Sequence, residues 1–248
     1  MALEQRPYTR AAESVGIDAG LRAYMLKVYN YMTTALLLTG LVAFFFGKAS
    51  IVTNDLGQIV GLTGIGNALF NSPLQWIVML APLGLVFYFS FKINTMSLST
   101  AQTTFWVFST LMGLSLASIF IVYTGASIAR VFFITSATFA AMSLYGYTTK
   151  RDLTALGSFL MMGLIGIIIA SIVNIFMKSS IMYFAISIIG VLIFVGLTAY
   201  DTQKIKNMYY AADSETQSGK KAIMGALRLY LDFINLFIML LRLFGQRR

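Results

Sequence analysis

Cysteine and histidine are both absent from the 248 residues. The first absence excludes disulfides and thiol chemistry, and the two together exclude the usual zinc sites. Without histidine the chain also lacks the commonest general base and the usual switch near neutral pH. Proton chemistry in that range is left to carboxylates. Charge is scarce too: 11% of residues are charged, where a soluble domain carries about a quarter. No short apolar core followed by a small-residue cleavage site opens the chain, so no cleaved signal peptide is expected. No internal repeat of fixed period is visible.

What is present is apolar. Hydrophobic residues make up 58% of the chain, and several runs reach the roughly 20 residues that cross a bilayer as a helix. These features define an all-α, polytopic membrane protein. Residues 1–28 are polar and read as a cytoplasmic N-terminal tail, with Ala19 to Tyr31 leading into the first span. Residues 29–248 read as one transmembrane domain. The net charge of +9 could suggest nucleic acid. In so apolar a chain, lysine and arginine instead fix topology and meet lipid headgroups. The partner expected is membrane lipid, with no nucleic acid.

The spans fall near Tyr29–Phe46, Leu74–Phe91, Thr104–Tyr123, Val131–Tyr147, Leu156–Phe176, Ile181–Tyr200 and Ala222–Phe244. Between the first two lies a glycine-rich connection, Gly47 to Ser72, including Gly57, Gly61, Gly64 and Gly66. Ser72-Pro73 marks a helix start, with Ser72 as cap and Pro73 at the first helical position. Pro82 is a candidate kink. Gly113 with Ala117, and Gly157, Gly163 and Gly166, permit close helix contact. The fourth span is rich in hydroxyls, Thr135, Ser136, Thr138 and Ser143. Packing with the hydroxyls bonded back to the helix is favoured over a polar pathway.

With the N-terminus inside, Arg6, Arg10, Arg22 and Lys27 of the tail lie on the cytoplasmic side. Lys92, Lys150, Arg151, Lys204, Lys206, Lys220 and Lys221 of the inner loops join them, and the outer loops hold only Lys48, Arg130 and Lys178. Seven full crossings then place Arg247 and Arg248 outside. Either that short tail is tolerated, or the last segment re-enters and returns.

Two aspartates, Asp201 and Asp232, each lie inside a long apolar run, and no other acid does. An acid in hydrocarbon is costly and points to function, with a partner to be named. Each is the natural partner of the other. In the last span Arg228, Asp232, Asn235 and Arg242 share one helical face. Asp232 lies about 15 Å from the start of that span at 1.5 Å per residue. Asp201 reaches a similar depth if its helix continues through Lys204-Ile205-Lys206. Two carboxylates held together in a low dielectric cannot both ionise cheaply, so the pair would share a proton. When both lose their protons, repulsion would part the helices or recruit a cation. Calcium wants about 6–8 oxygens, so Asn235, backbone carbonyls or water would have to complete its shell. The alternative is structural: Asp201 pairs with Lys204, and Asp232 pairs with Arg228 one turn earlier.

Around these acids the chain resembles the Bax inhibitor-1 family. The resemblance is carried by Gly196-Leu197-Thr198-Ala199-Tyr200-Asp201-Thr202-Gln203-Lys204-Ile205-Lys206 and by Leu229-Tyr230-Leu231-Asp232-Phe233-Ile234-Asn235-Leu236-Phe237. Ala137 to Ser143 and Asp152 to Phe159 add to it, and it covers most of the chain from residue 20 onward. It implies seven transmembrane helices, the last central and wrapped by the other six in two layers. It also implies a pH-sensitive calcium leak in which Asp201 and Asp232 are the sensing pair. A family arginine near the inner end of the second span has Lys92 in its place here, and lysine cannot make the same bidentate contact. Eukaryotic relatives suppress cell death, and a bacterial relative associates with a membrane protease. A bacterial inner membrane is the expected location.

Paired intramembrane aspartates also define presenilin-type proteases, but Leu229-Tyr230-Leu231 stands where such enzymes carry Gly-x-Gly before the second acid. No enzymatic activity and no cofactor are expected, with calcium as the permeant or weakly bound ion. The remaining rival to a leak is a non-transporting regulator that binds a membrane protease or other complex, through the polar loop Ala211 to Ser218 or the N-terminal tail.

Overall fold

The computed structural model describes residues 6–55 and 58–248. Residues 1–5 of the expected tail and Gly57 of the expected loop lie outside the described residues, as do the side chains of residues 6–18. The elements run α1 (Arg6–Ala49), β1 (Ile51–Thr53), β2 (Ile59–Leu62), α2 (Gly64–Phe70), α3 (Leu74–Lys92), α4 (Leu98–Leu116), α5 (Ile119–Val122), α6 (Gly125–Thr148), α7 (Thr154–Met177), α8 (Ser180–Asn207) and α9 (Glu215–Phe244). Among the described residues, seven helical segments are long and apolar enough to cross a membrane, with α4 and α5 together making one of them.

Helix starts follow from local chemistry. Thr124, Ser179 and Ser214 each present a side-chain oxygen to the backbone N–H three residues on, satisfying a donor the helix itself cannot. Gln217 returns a bond to the Ser214 backbone, completing a capping box. Ser72 accepts from the Leu74 N–H at 3.1 Å, but Pro73 is the cap residue and α3 begins at Leu74, one residue later than the sequence suggests. At the exposed turn before α7, Thr154 donates both its hydroxyl and its N–H to Asp152, which holds that carboxyl below the usual range.

Two regions differ from the sequence reading. Residues 6–28, expected as a tail, belong to α1 and run without a break into the span Ala19–Ala49. The described residues of the Gly47 to Ser72 connection carry regular structure: β1 and β2 pair antiparallel, and α2 follows, capped by Thr63. The β-branched runs Ile51-Val52-Thr53 and Ile59-Val60, on either side of Asn54-Asp55, are a hairpin pattern that the glycine content obscured.

The last helix is the axis of the molecule. In α9, 72% of the most apolar stretch is buried, against at most 39% in any other spanning helix. Helices α1, α4, α6 and α8 pack directly on it, while α3 backs α4 and α7 backs α8. Tyr230, Leu229 and Leu236 of α9 are fully enclosed. Tyr230 donates to Thr39 Oγ1 of α1 at 2.7 Å, and Thr39 donates to the Ser109 carbonyl of α4 at 2.8 Å. Three helices are thus joined by two bonds in a setting where water cannot substitute.

The chain turns at two ends. One holds the α3–α4, α6–α7 and α8–α9 turns and most of the lysines. The other holds the β-hairpin, the α5–α6 and α7–α8 turns, and the C-terminus. Helix α9 is unbroken over 30 residues, about 45 Å of rise. Its tail ends on the α5–α6 turn: the Thr124 N–H donates to the Gln246 carbonyl at 3.0 Å, the Arg248 N–H to the Val122 carbonyl at 3.0 Å, and the Gln246 N–H to Ser127 Oγ at 2.9 Å. The last segment therefore runs from one end to the other and does not turn back.

Candidate proton-sensing site

Helix α8 carries Asp201, and α9 carries Arg228 and Asp232. The depth condition is met, because α8 continues through Lys204-Ile205-Lys206 to Asn207. The two helices approach closely on both sides of the acids. A Cβ on Gly225 would come within 2.9 Å of Ile205, and one on Gly190 within 3.0 Å of Met239. Glycine at both points lets the helices approach this closely.

Between these points the Asp201 and Asp232 carboxyls meet. Asp232 is 5% exposed, and its Oδ2 has no hydrogen-bond partner. An unpartnered polar atom in such a place is rare and calls for an explanation. Asp201 is 13% exposed at its side chain and meets Arg228, 39% exposed, at 3.5 Å through one nitrogen, Nη1. That is longer than the 2.7–2.9 Å of a tight charge-assisted bond. The charged groups facing Asp201 are Arg228 and Asp232 from α9 and Lys204 on its own helix.

The structure thus joins Asp201, Asp232 and Arg228. The local alternative takes a different form: Arg228 bonds across the seam to Asp201, not along α9 to Asp232. The Lys204 ammonium lies 5.5 Å from the centre of the Tyr200 ring. Asn235 donates its amide to the Leu231 carbonyl at 2.8 Å, which leaves its side-chain oxygen as the group it could offer a cation. Lys92 is not brought to the pair. It stands exposed at the end of α3, a helix that packs on α4. Among the described residues, no group of three or more acidic, histidine or cysteine side chains could hold a metal ion.

The hydroxyls of α6 behave largely as packing groups. Thr135, Ser136 and Thr138 each donate to the carbonyl four residues back. Ser143 differs. It accepts from Tyr29 at 2.6 Å and donates to Thr202 at 2.9 Å, and Thr202 donates to the Thr198 carbonyl. This relay links α1, α6 and α8 and was not legible in the sequence, because its members lie on separate helices.

A central helix wrapped by apolar helices defines a polytopic integral membrane protein, with two acids facing each other between its last two helices. The comparisons identify the family. The model for the inhibitor of apoptosis-promoting Bax1 family matches residues 21–248, and the chain belongs to that Bax inhibitor family. It is 52% identical over 240 residues to the uncharacterized protein RP147 of Rickettsia prowazekii, covering 97% of this chain and 96% of that protein. It is 48% identical over 243 residues to the inner membrane protein YbhL of Escherichia coli, covering 97% and 99%. An uncharacterized membrane protein of Streptococcus pyogenes is 35% identical over 235 residues, covering 92% and 95%.

Proposed function

We propose that the protein is a calcium leak of a bacterial inner membrane, gated by protonation of the Asp201–Asp232 pair. The observation that carries this reading is the buried Asp232 oxygen without a partner, against Asp201 on the neighbouring helix. One shared proton lets the two carboxyls bond across the seam. Loss of that proton leaves two negative charges against one long, single-nitrogen contact from Arg228. The charges then part α8 from α9, or they draw in a cation. With two carboxylates and the Asn235 oxygen, calcium would be under-coordinated, which suits an ion in transit rather than a resident one. The pair acts as a sensor and not as a catalyst. The lysine-rich end, with Lys92, Lys150, Arg151 and Lys204, is assigned to the cytoplasm, and the N-terminus lies on that side.

Calcium flux into vesicles holding the purified protein tests this, from about pH 5.5 to 8, the range open to a carboxyl in a low dielectric. Wild type should show pH-dependent flux, and the dependence should shift or vanish in both Asp201→Asn and Asp232→Asn. Flux no greater than that of empty vesicles at every pH would sink the leak and favour a non-transporting regulator that binds a membrane protease or other complex.

A further inference from the structure

Helices α1 and α6 both pack on α9 and meet each other at the Tyr29–Ser143 bond of 2.6 Å. A slot remains between them. Its larger part is a cavity of about 890 Å³ reaching from Arg22 and Tyr147 at the lysine-rich end to Leu41 and Phe132. A second cavity of about 540 Å³ continues past Phe132 toward Phe120. Gly40 lines both, and a Cβ there would meet nothing within 4 Å. Phe233, the neighbour of Asp232, forms part of the floor of both.

Charge along the slot is one-sided. The Ser136 and Ser143 hydroxyls on its wall are already bonded within the protein. Among the described residues, the only charged group lining either cavity is Arg22, at one end. A second cation stands beside that end: the Lys206 ammonium donates to the Tyr147 carbonyl at 2.8 Å and lies over the Tyr147 ring. From Arg22 to Thr33 the helix rises about 16 Å, close to the depth of one leaflet, half of a roughly 30 Å hydrocarbon core. A largely apolar channel of that depth with cations at its mouth complements an anionic headgroup joined to a hydrocarbon chain.

We propose that the slot between α1 and α6 seats one anionic phospholipid of the surrounding bilayer, with its phosphate at Arg22 and an acyl chain against Gly40 and Phe233. The site is independent of the calcium reading, because it requires no ion movement.

Native mass spectrometry of the full-length protein in detergent tests it, with phosphatidylglycerol or phosphatidylcholine titrated in. Wild type should retain one phosphatidylglycerol in preference to phosphatidylcholine. Arg22→Gln should weaken that retention about fivefold, the weight of one cation at a membrane surface. Gly40→Phe, placed in open space, should abolish retention of either lipid. If that variant does not fold, Ala140→Leu on the facing wall replaces it, with the same expectation. Equal retention of the two lipids by wild type would overturn the proposal. So would phosphatidylglycerol binding unchanged by the slot-filling variant.

Discussion

Arg228 holds Asp201 through one nitrogen at 3.5 Å, while Asp232 keeps an oxygen with no partner. The two acids therefore differ in what they contribute to stability. A buried polar atom left unbonded costs about 1–3 kcal/mol, so Asp232→Asn, whose amide can donate to Asp201, should stabilise the protein. Near 1 kcal/mol would correspond to roughly 2–4 °C in Tm for a chain of this size. Arg228→Gln should lower Tm, because it removes the cation bonded to Asp201. Thermal unfolding in detergent at neutral pH checks both. A fall in Tm for Asp232→Asn would mean that the Asp232 charge is itself favourably held. These acids stood out in the sequence, because an aspartate among Leu, Phe and Ile calls for a partner, and both a coupled pair and local pairing with Lys204 or Arg228 were open. The pairing of Asp201 with Arg228 was not legible. Spacing along α9 offers Asp232 as the partner one turn away, and only the approach of α8 puts Asp201 in its place. Lys92 failed as a candidate for a similar reason: its position along the chain says nothing about α3 packing on α4.

The spans themselves were readable because apolar runs are local signals, but the polar helix starts were not: α4, α6 and α9 begin at Leu98, Gly125 and Glu215, ahead of the expected Thr104, Val131 and Ala222. The glycines that set helix spacing were read only in part. Gly113 meets Thr39 and Val42 of α1, and Gly157 meets the Tyr200 ring of α8, as their spacing suggests. Gly166 faces open space. Gly146 was not singled out, yet a Cβ there would collide with the Ala199 carbonyl of α8. Backbone cannot move aside as a flexible side chain can, so Gly146→Val should part α6 from α8 and lower Tm more than Gly166→Val. Comparable losses from the two would show that α6 yields at that crossing. The C-terminal strap makes a separate claim. Removing residues 246–248 deletes the three bonds to Val122, Thr124 and Ser127. Amide exchange should then rise in the α5–α6 turn while the α9 core stays protected. An unchanged turn would mean that the turn holds its shape without the strap.

At the scale of the whole molecule, the apolar composition defined the class, and the scatter of lysine and arginine suggested an orientation. The central place of the last helix came from family resemblance, because its sequence is no more apolar than its neighbours. Burial shows why that place suits it: α1, α4, α6 and α8 all lean on it. The slot between α1 and α6 had no signature, since a gap between helices distant in sequence is not written in either one. The course of α9 leads to the last prediction. Because the chain has no cysteine, single cysteines report their own side of the membrane. Ala212→Cys lies at the lysine-rich end. Thr53→Cys and Arg248→Cys lie at the opposite end, and all three positions are exposed. An impermeant maleimide added to intact spheroplasts should label Thr53→Cys and Arg248→Cys, and should reach Ala212→Cys only after lysis. Labelling of Ala212→Cys alone in intact cells would invert the orientation and leave the single crossing of α9 standing. Labelling of Arg248→Cys together with Ala212→Cys would break that crossing, and with it the alignment of Asp232 against Asp201 on which the sensing site rests.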